Sequence, residues 1–204
     1  SSQAKVTHTT VPPARIVWMS DNTGKFVSNP NHLLGTFSGQ LSVSDTSYAT
    51  LMSSDTHQAS ILLDFGKEMY GRIKIFSAIR ECKVPVRLRI RLGESVTEAM
   101  SDVNMPDNPQ NPTNEHSLRD FTVSAPWLGS FQCGNSGFRF ARIDLLDKDI
   151  KYNLRHVSAV SLIRDIEDKG SFCSDNERIN QIWQTGAYTV KLNMQEYLWD
   201  GIKR

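Results

Sequence analysis

The stretch that decides the fold reads VRLRIRLG and runs from Val86 to Gly93. Its apolar and cationic side chains alternate without exception, the apolar set being Val86, Leu88, Ile90 and Leu92 and the cationic set Arg87, Arg89 and Arg91. Successive side chains of a β-strand point to opposite faces, so this pattern predicts one face on a core and one in water. We expect the arginines to form the solvated face of an antiparallel strand and to pair with carboxylates on its neighbours. An anion-binding stripe is the alternative.

Further apolar runs bounded by turn residues lie on both sides of this stretch. They are RIVWMS (15–20), SILLDFG (60–66), GRIKIFSAI (71–79), SLRDFTVSA (117–125), GSFQCG (129–134), FRFARIDLLD (138–147) and KYNLRHVSAVSLIRDI (151–166). A weaker signal in NHLLGTFSGQLSVS (31–44) predicts one or two more strands, and imperfect alternation after Phe138 predicts a bulge or a doubly buried segment. Many strands with almost no helix predict a mainly β fold, an antiparallel β-sandwich of jelly-roll type.

The pattern changes to a helical one at Gly170. Ser174 is followed three residues later by Glu177, which is the capping-box arrangement of a helix start, and Gly201 is placed to end the helix. Between them the apolar residues recur in steps of three and four: Ile179, Ile182, Trp183, Ala187, Val190, Met194, Tyr197 and Leu198. We expect one long helix with an apolar stripe that needs a partner. The predicted organisation is a tail at 1–14, a β-sandwich at 15–169 and this helix at 170–204.

Composition excludes several classes of function. The 204-residue chain has a net charge of +1 and no long basic run, which argues against nucleic acid as a partner. No apolar stretch is long enough to span a membrane, and the three cysteines lack metal-ligand spacing, so we expect no metal and no cofactor. The polar stretch 94–116 is predicted to be a long loop. Calcium is the alternative there, on Asp102, Asn104, Asp107 and Asn108, although Pro106 occupies a ligand position.

Six segments together resemble the bacterial α-L-rhamnosidases of glycoside hydrolase family 78. They are SILLDFGKEMYG (60–71), PVRLRIRLGESVTEAMSD (85–102), EHSLRDFTVSAPWLGS (115–130), GNSGFRFARIDLLD (134–147), GSFCSDNERINQIW (170–183) and LNMQEYLWDGIKR (192–204). The resemblance implies β-sandwich domains ahead of a catalytic (α/α)6 barrel, a six-hairpin barrel. On this reading the chain is an N-terminal fragment that holds the sandwich and the first barrel helix, with the rest of the barrel packing on that helix.

The resemblance also implies where substrate binds. Asp200 matches the front of an acidic motif of the barrel and would hydrogen-bond rhamnose hydroxyls, with Arg204 and Trp199 as further candidate contacts. The general acid would follow Arg204 and the general base would lie far downstream, so no catalytic residue is expected within this chain. Without the resemblance, Asp200 reads as a turn aspartate and Trp199 as a core residue. The substrate would be a rhamnose-containing glycan or glycoside, and the protein periplasmic or secreted.

A second hypothesis is a carbohydrate-binding module that binds glycans without cutting them. Such modules present exposed aromatic side chains, and Trp127 in the turn APWLG is the best candidate, ahead of Trp18, Tyr70 and Phe131. A purely structural domain that supports the barrel and binds nothing is a third possibility.

Overall fold

A computed structural model of the chain describes residues 6–79, 83–101 and 119–164. Within these ranges it has nine strands: β1 (Val6–Val11), β2 (Arg15–Met19), β3 (Val27–Ser28), β4 (Ala49–Ser53), β5 (Ser60–Ser77), β6 (Val86–Gly93), β7 (Asp120–Ala125), β8 (Gly129–Leu145) and β9 (Ile150–Arg164). A 3₁₀ helix (Pro30–Leu33) and a short helix α1 (Val96–Met100) complete this part. β1 falls within the segment 1–14, which the sequence predicts to be a tail. The predicted helix at 170–204 and the four candidate calcium ligands lie outside the described residues.

The nine strands form one antiparallel network in the order β3–β4–β9–β5–β8–β6–β7, with β1 added to β9 and β2 to β5. β5 and β8 are long enough to serve two layers. Residues 60–64 of β5 pair with 140–144 of β8 in a first layer that also holds β2, β6 and β7. Residues 69–77 pair with 129–138 in a second layer that also holds β9, β1, β4 and β3. The register shifts between Asp64 and Met69, where β5 holds the extra residues. β8 shows the predicted doubly buried segment, because residues 140–145 are all buried.

Alternate side chains of both layers meet in one apolar core. In the first layer Ile61, Ile143 and Ile90 lie side by side on adjacent strands, and all three are fully buried. The second layer contributes the same kind of row from β3, β4 and β9, with Val27, Leu51 and Tyr152. The described part of the chain is therefore mainly β, antiparallel and poor in helix, as predicted, and it is consistent with a β-sandwich. No described helix has the length and apolarity to cross a membrane.

The arginines of β6 pair with carboxylates on neighbouring elements, as the alternation predicts. The closest contacts between guanidinium and carboxylate are Arg87 to Asp147 at 2.9 Å, Arg89 to Asp120 at 2.6 Å and Arg91 to Asp144 at 2.6 Å. The expectation that all three are solvated is wrong for Arg91, whose exposure is only 4%. The guanidinium of Arg91 also donates to the carbonyl of Ser101, at the end of α1, so this end of the β6 face is covered by chain.

The strand prediction for residues 31–44 is wrong. This segment contains the end of the 3₁₀ helix, which buries Leu33, and then runs without regular structure. Gly35 and Gly39 both have φ near +88°, a left-handed conformation that breaks an extended strand. The runs 60–66 and 71–79 were predicted as separate strands, but they are the two halves of β5, bent at Gly66 (φ +85°).

Candidate functional site

The described residues include one of the four site residues predicted from sequence. Asp200, Arg204 and Trp199 lie outside them, so their roles remain predictions. Trp127 lies in the turn between β7 and β8, where its side chain is partly exposed, as the module hypothesis requires. Lys83 places its Nζ 5.2 Å from the centre of the Trp127 ring, so a cation–π contact already occupies one face of the indole.

A large depression among the described residues, which Trp127 does not line, lies over the outer face of β4 and the start of β9. We call it the β4–β9 groove; it has a volume of about 850 Å³ and is lined by Lys25, Ser28, Tyr48, Thr50, Met52, Ile79, Asp149, Ile150, Lys151 and Asn153. A second depression of about 560 Å³ shares five of these residues and extends to Phe26 and to the turn at 53–56. Together they form one elongated surface feature.

Strand alternation explains why these side chains face outward. Ser28, Thr50 and Asn153 lie in one cross-strand row, while their chain neighbours Leu51 and Tyr152 point into the core. Because successive side chains alternate faces, the buried row fixes the orientation of the groove floor. The groove therefore stands on a rigid sheet rather than on a loop.

Hydrogen bonds fix the polar floor of the groove. Thr50 donates its hydroxyl to Oδ1 of Asn153 at 3.0 Å, and Nδ2 of Asn153 donates to the carbonyl of Ile79 at 2.7 Å. A carboxamide has two N–H donors and an acceptor oxygen with two lone pairs. Asn153 thus keeps a second donor and a second acceptor position while its orientation is held from both sides.

The charges around the groove come from its rim. Lys25 precedes β3, Lys151 is in β9, and Asp149 ends the turn between β8 and β9 with φ +53°. Aspartate is among the few residues that tolerate this left-handed conformation. Neither lysine forms an ion pair with a carboxylate in the described parts of the chain. The larger depression therefore carries two ammonium groups against one carboxylate.

A different charged cluster covers the outer face of the first layer. Asp144 is buried and accepts from Arg91 at 2.6 Å and from Arg142 at 2.9 Å. Asp64 is also buried; burial acts to raise its pKa, but hydrogen bonds from Arg139, the Gly66 amide and Arg15 lower the pKa to about 2. With its pKa held this low, Asp64 stays ionised at neutral pH and cannot act as a general acid.

A pair of glutamates lies where β5 bends past β8. Burial, followed by a hydrogen bond and charge repulsion from Glu94, raises the pKa of Glu68 to about 8. A Cβ atom built on Gly137 would lie 2.8 Å from Oε1 of Glu94 and 3.2 Å from Oε1 of Glu68, so the absence of a side chain at Gly137 leaves the space for both carboxyl groups. Two carboxyl groups in hydrogen-bond contact share a proton. No group of three or more potential metal ligands occurs among the residues described.

Comparison with known proteins identifies the fold. No protein-family model matches the chain, and no curated protein matches it significantly. A rhamnosidase from Klebsiella oxytoca, solved with rhamnose bound, aligns with a TM-score of 0.56 and 14% identity over 93% of this chain and 36% of its own. A family GH78 rhamnosidase from Bacillus sp. GL1 aligns with a TM-score of 0.50 and 14% identity, over 81% of this chain and 16% of its own.

At such low identity the likeness shows the fold alone. This chain spans about a third of one rhamnosidase and about a sixth of the other.

The sequence reasoning missed the β4–β9 groove. Its lining comes from β3, β4, the start of β9 and the turn before it, together with Lys25, Tyr48 and Ile79, and these parts are far apart along the chain. The only local signal was the outward Thr50 and Met52 of β4, and a short alternating run gives no information on which strand lies beside it. The pairing of β4 with β9, a hundred residues later, brings the lining together.

Proposed function

We propose that this chain is the N-terminal part of an inverting α-L-rhamnosidase, which hydrolyses terminal α-L-rhamnosyl residues of glycans or glycosides. The observation that carries the proposal is the fold likeness to the Klebsiella oxytoca rhamnosidase, which extends over 93% of this chain. The six segments of sequence resemblance support it independently of the fold. The described domain then acts as a scaffold, and a helical barrel beginning near residue 170 carries the chemistry in a periplasmic or secreted enzyme.

Inversion requires one carboxylic acid to protonate the leaving oxygen and a second carboxylate to activate water from the opposite face. The two groups stand about 6.5–9.5 Å apart so that the water fits between them. Glu68 and Glu94 do not meet this requirement, because they hydrogen-bond to each other. We therefore assign both catalytic groups to sequence after Arg204. In this proposal Asp200, Arg204 and Trp199 contact the sugar, and the barrel helices pack on the apolar stripe of the helix predicted at 170–204.

Hydrolysis of p-nitrophenyl α-L-rhamnoside tests the proposal. We expect no turnover by the 204-residue chain and clear turnover by a protein that continues through the barrel, with the β-anomer of rhamnose formed first in NMR spectra. In that longer protein, Asp200→Asn should reduce kcat/KM, whereas Asp55→Asn, a change at an exposed turn, should not. Turnover by the 204-residue chain, or none by the longer protein, would refute the assignment.

The second candidate is a sugar-binding module centred on Trp127. The partial exposure of Trp127 in its turn favours this candidate. Calorimetric titration with rhamnose and rhamnose-containing glycans should show binding that Trp127→Ala abolishes. Lys83→Ala removes the cation above the ring and is the matched control, which should leave binding intact or improve it. Absence of saturable binding would exclude the module and favour a purely structural domain.

A further inference from the structure

We propose that the β4–β9 groove binds an acidic oligosaccharide, with a uronic-acid carboxylate held between Lys25 and Lys151. This site shares no residue with the predicted rhamnose contacts or with Trp127, and its ligand is not the substrate of the proposed hydrolysis. The proposal rests on three features of the groove: its shape, its fixed polar floor and the imbalance of charge at its rim.

The shape suits a chain of sugars better than a compact ligand. The larger depression has a volume of about 850 Å³ and continues into the second one through Lys25, Met52 and Lys151. Small-molecule sites have volumes of about 300–1,000 Å³ and combine apolar walls with a few placed polar groups. Two connected depressions offer room for adjacent sugar units.

The lining offers partners for both the apolar C–H groups and the hydroxyls of a pyranose ring. Tyr48, Met52 and Ile150 supply apolar surface for the C–H groups, and the tyrosine hydroxyl adds a polar tip. Asn153 supplies a donor and an acceptor for sugar hydroxyls, already oriented by Thr50 and the Ile79 carbonyl. A group that is fixed before binding loses less entropy on binding, so these contacts favour a ligand with paired hydroxyls.

The rim selects for an anion. Lys25 and Lys151 border both depressions, and in the described ranges neither is neutralised by an ion pair. Asp149 is the single carboxylate of the larger depression, and Asp55 lies only in the second one. The excess positive charge is therefore greatest at the Asn153 side. A sugar carboxylate would be attracted there, whereas a neutral sugar would gain no electrostatic attraction.

Titration with tri-galacturonate and with a neutral galactose trimer tests this proposal, by calorimetry or by NMR shifts of the groove residues. We expect saturable binding of tri-galacturonate that weakens as salt is added, and binding of the neutral trimer that is about tenfold weaker. The double variant Lys25→Met/Lys151→Met keeps the aliphatic stems and should lose about tenfold in affinity for tri-galacturonate. Tyr48→Ala should weaken both ligands alike.

Lys148→Met is the matched control, because Lys148 is an exposed lysine of the same β8–β9 turn that does not line the groove. It should bind tri-galacturonate as the unaltered protein does. Equal affinity for the two trimers, no saturable binding, or an equal loss in Lys148→Met would each overturn the proposal. None of these outcomes bears on rhamnoside hydrolysis, so failure here is distinguishable from failure of the proposed function.

Discussion

Replacing Glu68 by glutamine should change how the stability of this domain depends on pH. The pKa of Glu68 is raised from 4.5 to about 8, first by burial and then by the hydrogen bond and charge of Glu94; Glu98 acts in the same direction and Arg119 opposes it. An acid whose folded-state pKa is raised stabilises the fold fully below pH 4.5, and this contribution is lost as the pH rises to about 8. Stability should therefore fall across that interval.

The size of this change in stability follows from the difference between the two pKa values of Glu68. Each unit of pKa difference corresponds to about 1.4 kcal/mol, which gives a ceiling of about 5 kcal/mol for a fully buried group. Glu68 is only partly buried and Glu94 is exposed, so solvent screens the repulsion between them. We expect about 1–2 kcal/mol of pH-dependent stability from this pair.

Urea denaturation followed by circular dichroism at pH 5, 6.5 and 8 provides the measurement. Glutamine stays neutral and can still donate to Glu94, so Glu68→Gln should match the unaltered protein at pH 5 and be about 1–2 kcal/mol more stable at pH 8. Glu94→Gln should have the same effect, since the pair shares one proton. The double variant should add little to either single one. Asp55→Asn, at a remote exposed carboxylate, is the control.

Parallel pH curves for Glu68→Gln and the unaltered protein would refute the reasoning. Equal stabilisation by Asp55→Asn at pH 8 would also refute it, because it would assign the effect to net charge rather than to the glutamate pair.

Three further substitutions or conditions can be tested by the same denaturation assay. Gly71→Ala should destabilise the fold by about 3 kcal/mol or more, because the new Cβ would lie 1.9 Å from a carbonyl oxygen of β9 and the backbone would have to move. Asp144→Asn should cost about 3–5 kcal/mol, since it leaves the buried guanidinium groups of Arg91 and Arg142 without their shared carboxylate. Burial, followed by repulsion from a neighbouring arginine, lowers the pKa of His156 to about 4. The contribution of neutral His156 to the stability of the fold is therefore complete above pH 6.5 and is lost as the pH falls toward 4. His156→Gln should flatten the dependence of stability on pH across this interval.

The strands of this domain were predictable from sequence where local periodicity determines them. The alternation in Val86–Gly93 matches β6 residue for residue, and the arginine–carboxylate pairing follows from the same pattern. The alternation also predicted that Arg91 is exposed to solvent, and this prediction is wrong. Whether an outward side chain is buried depends on which other elements cover the sheet. The coverage comes from α1, whose five residues are too few for a periodic signal.

The candidate sites were less predictable, for a related reason. Trp127 could be placed in an exposed turn because proline and glycine mark that turn locally. The β4–β9 groove depends on the pairing of strands that are distant in sequence. The Glu68–Glu94 pair depends on the bend of β5, which brings Glu68 and the residue after β6 together beside Gly137 of β8. Neither arrangement leaves a periodic pattern in the chain.

The pairing of β1 with β9 has a consequence for synthesis of the protein. Among the described strands β1 pairs with β9 alone, so β1 stays unpaired until β9, which ends at Arg164, has left the ribosome. The edge of β5 that β8 does not cover stays open for the same time. Hydrogen-bonding edges and apolar side chains of a nascent chain promote aggregation while they remain uncovered. Slow translation upstream of β9 should therefore lower the yield of native protein, and a chaperone that shields β1 and β5 during this interval should restore it.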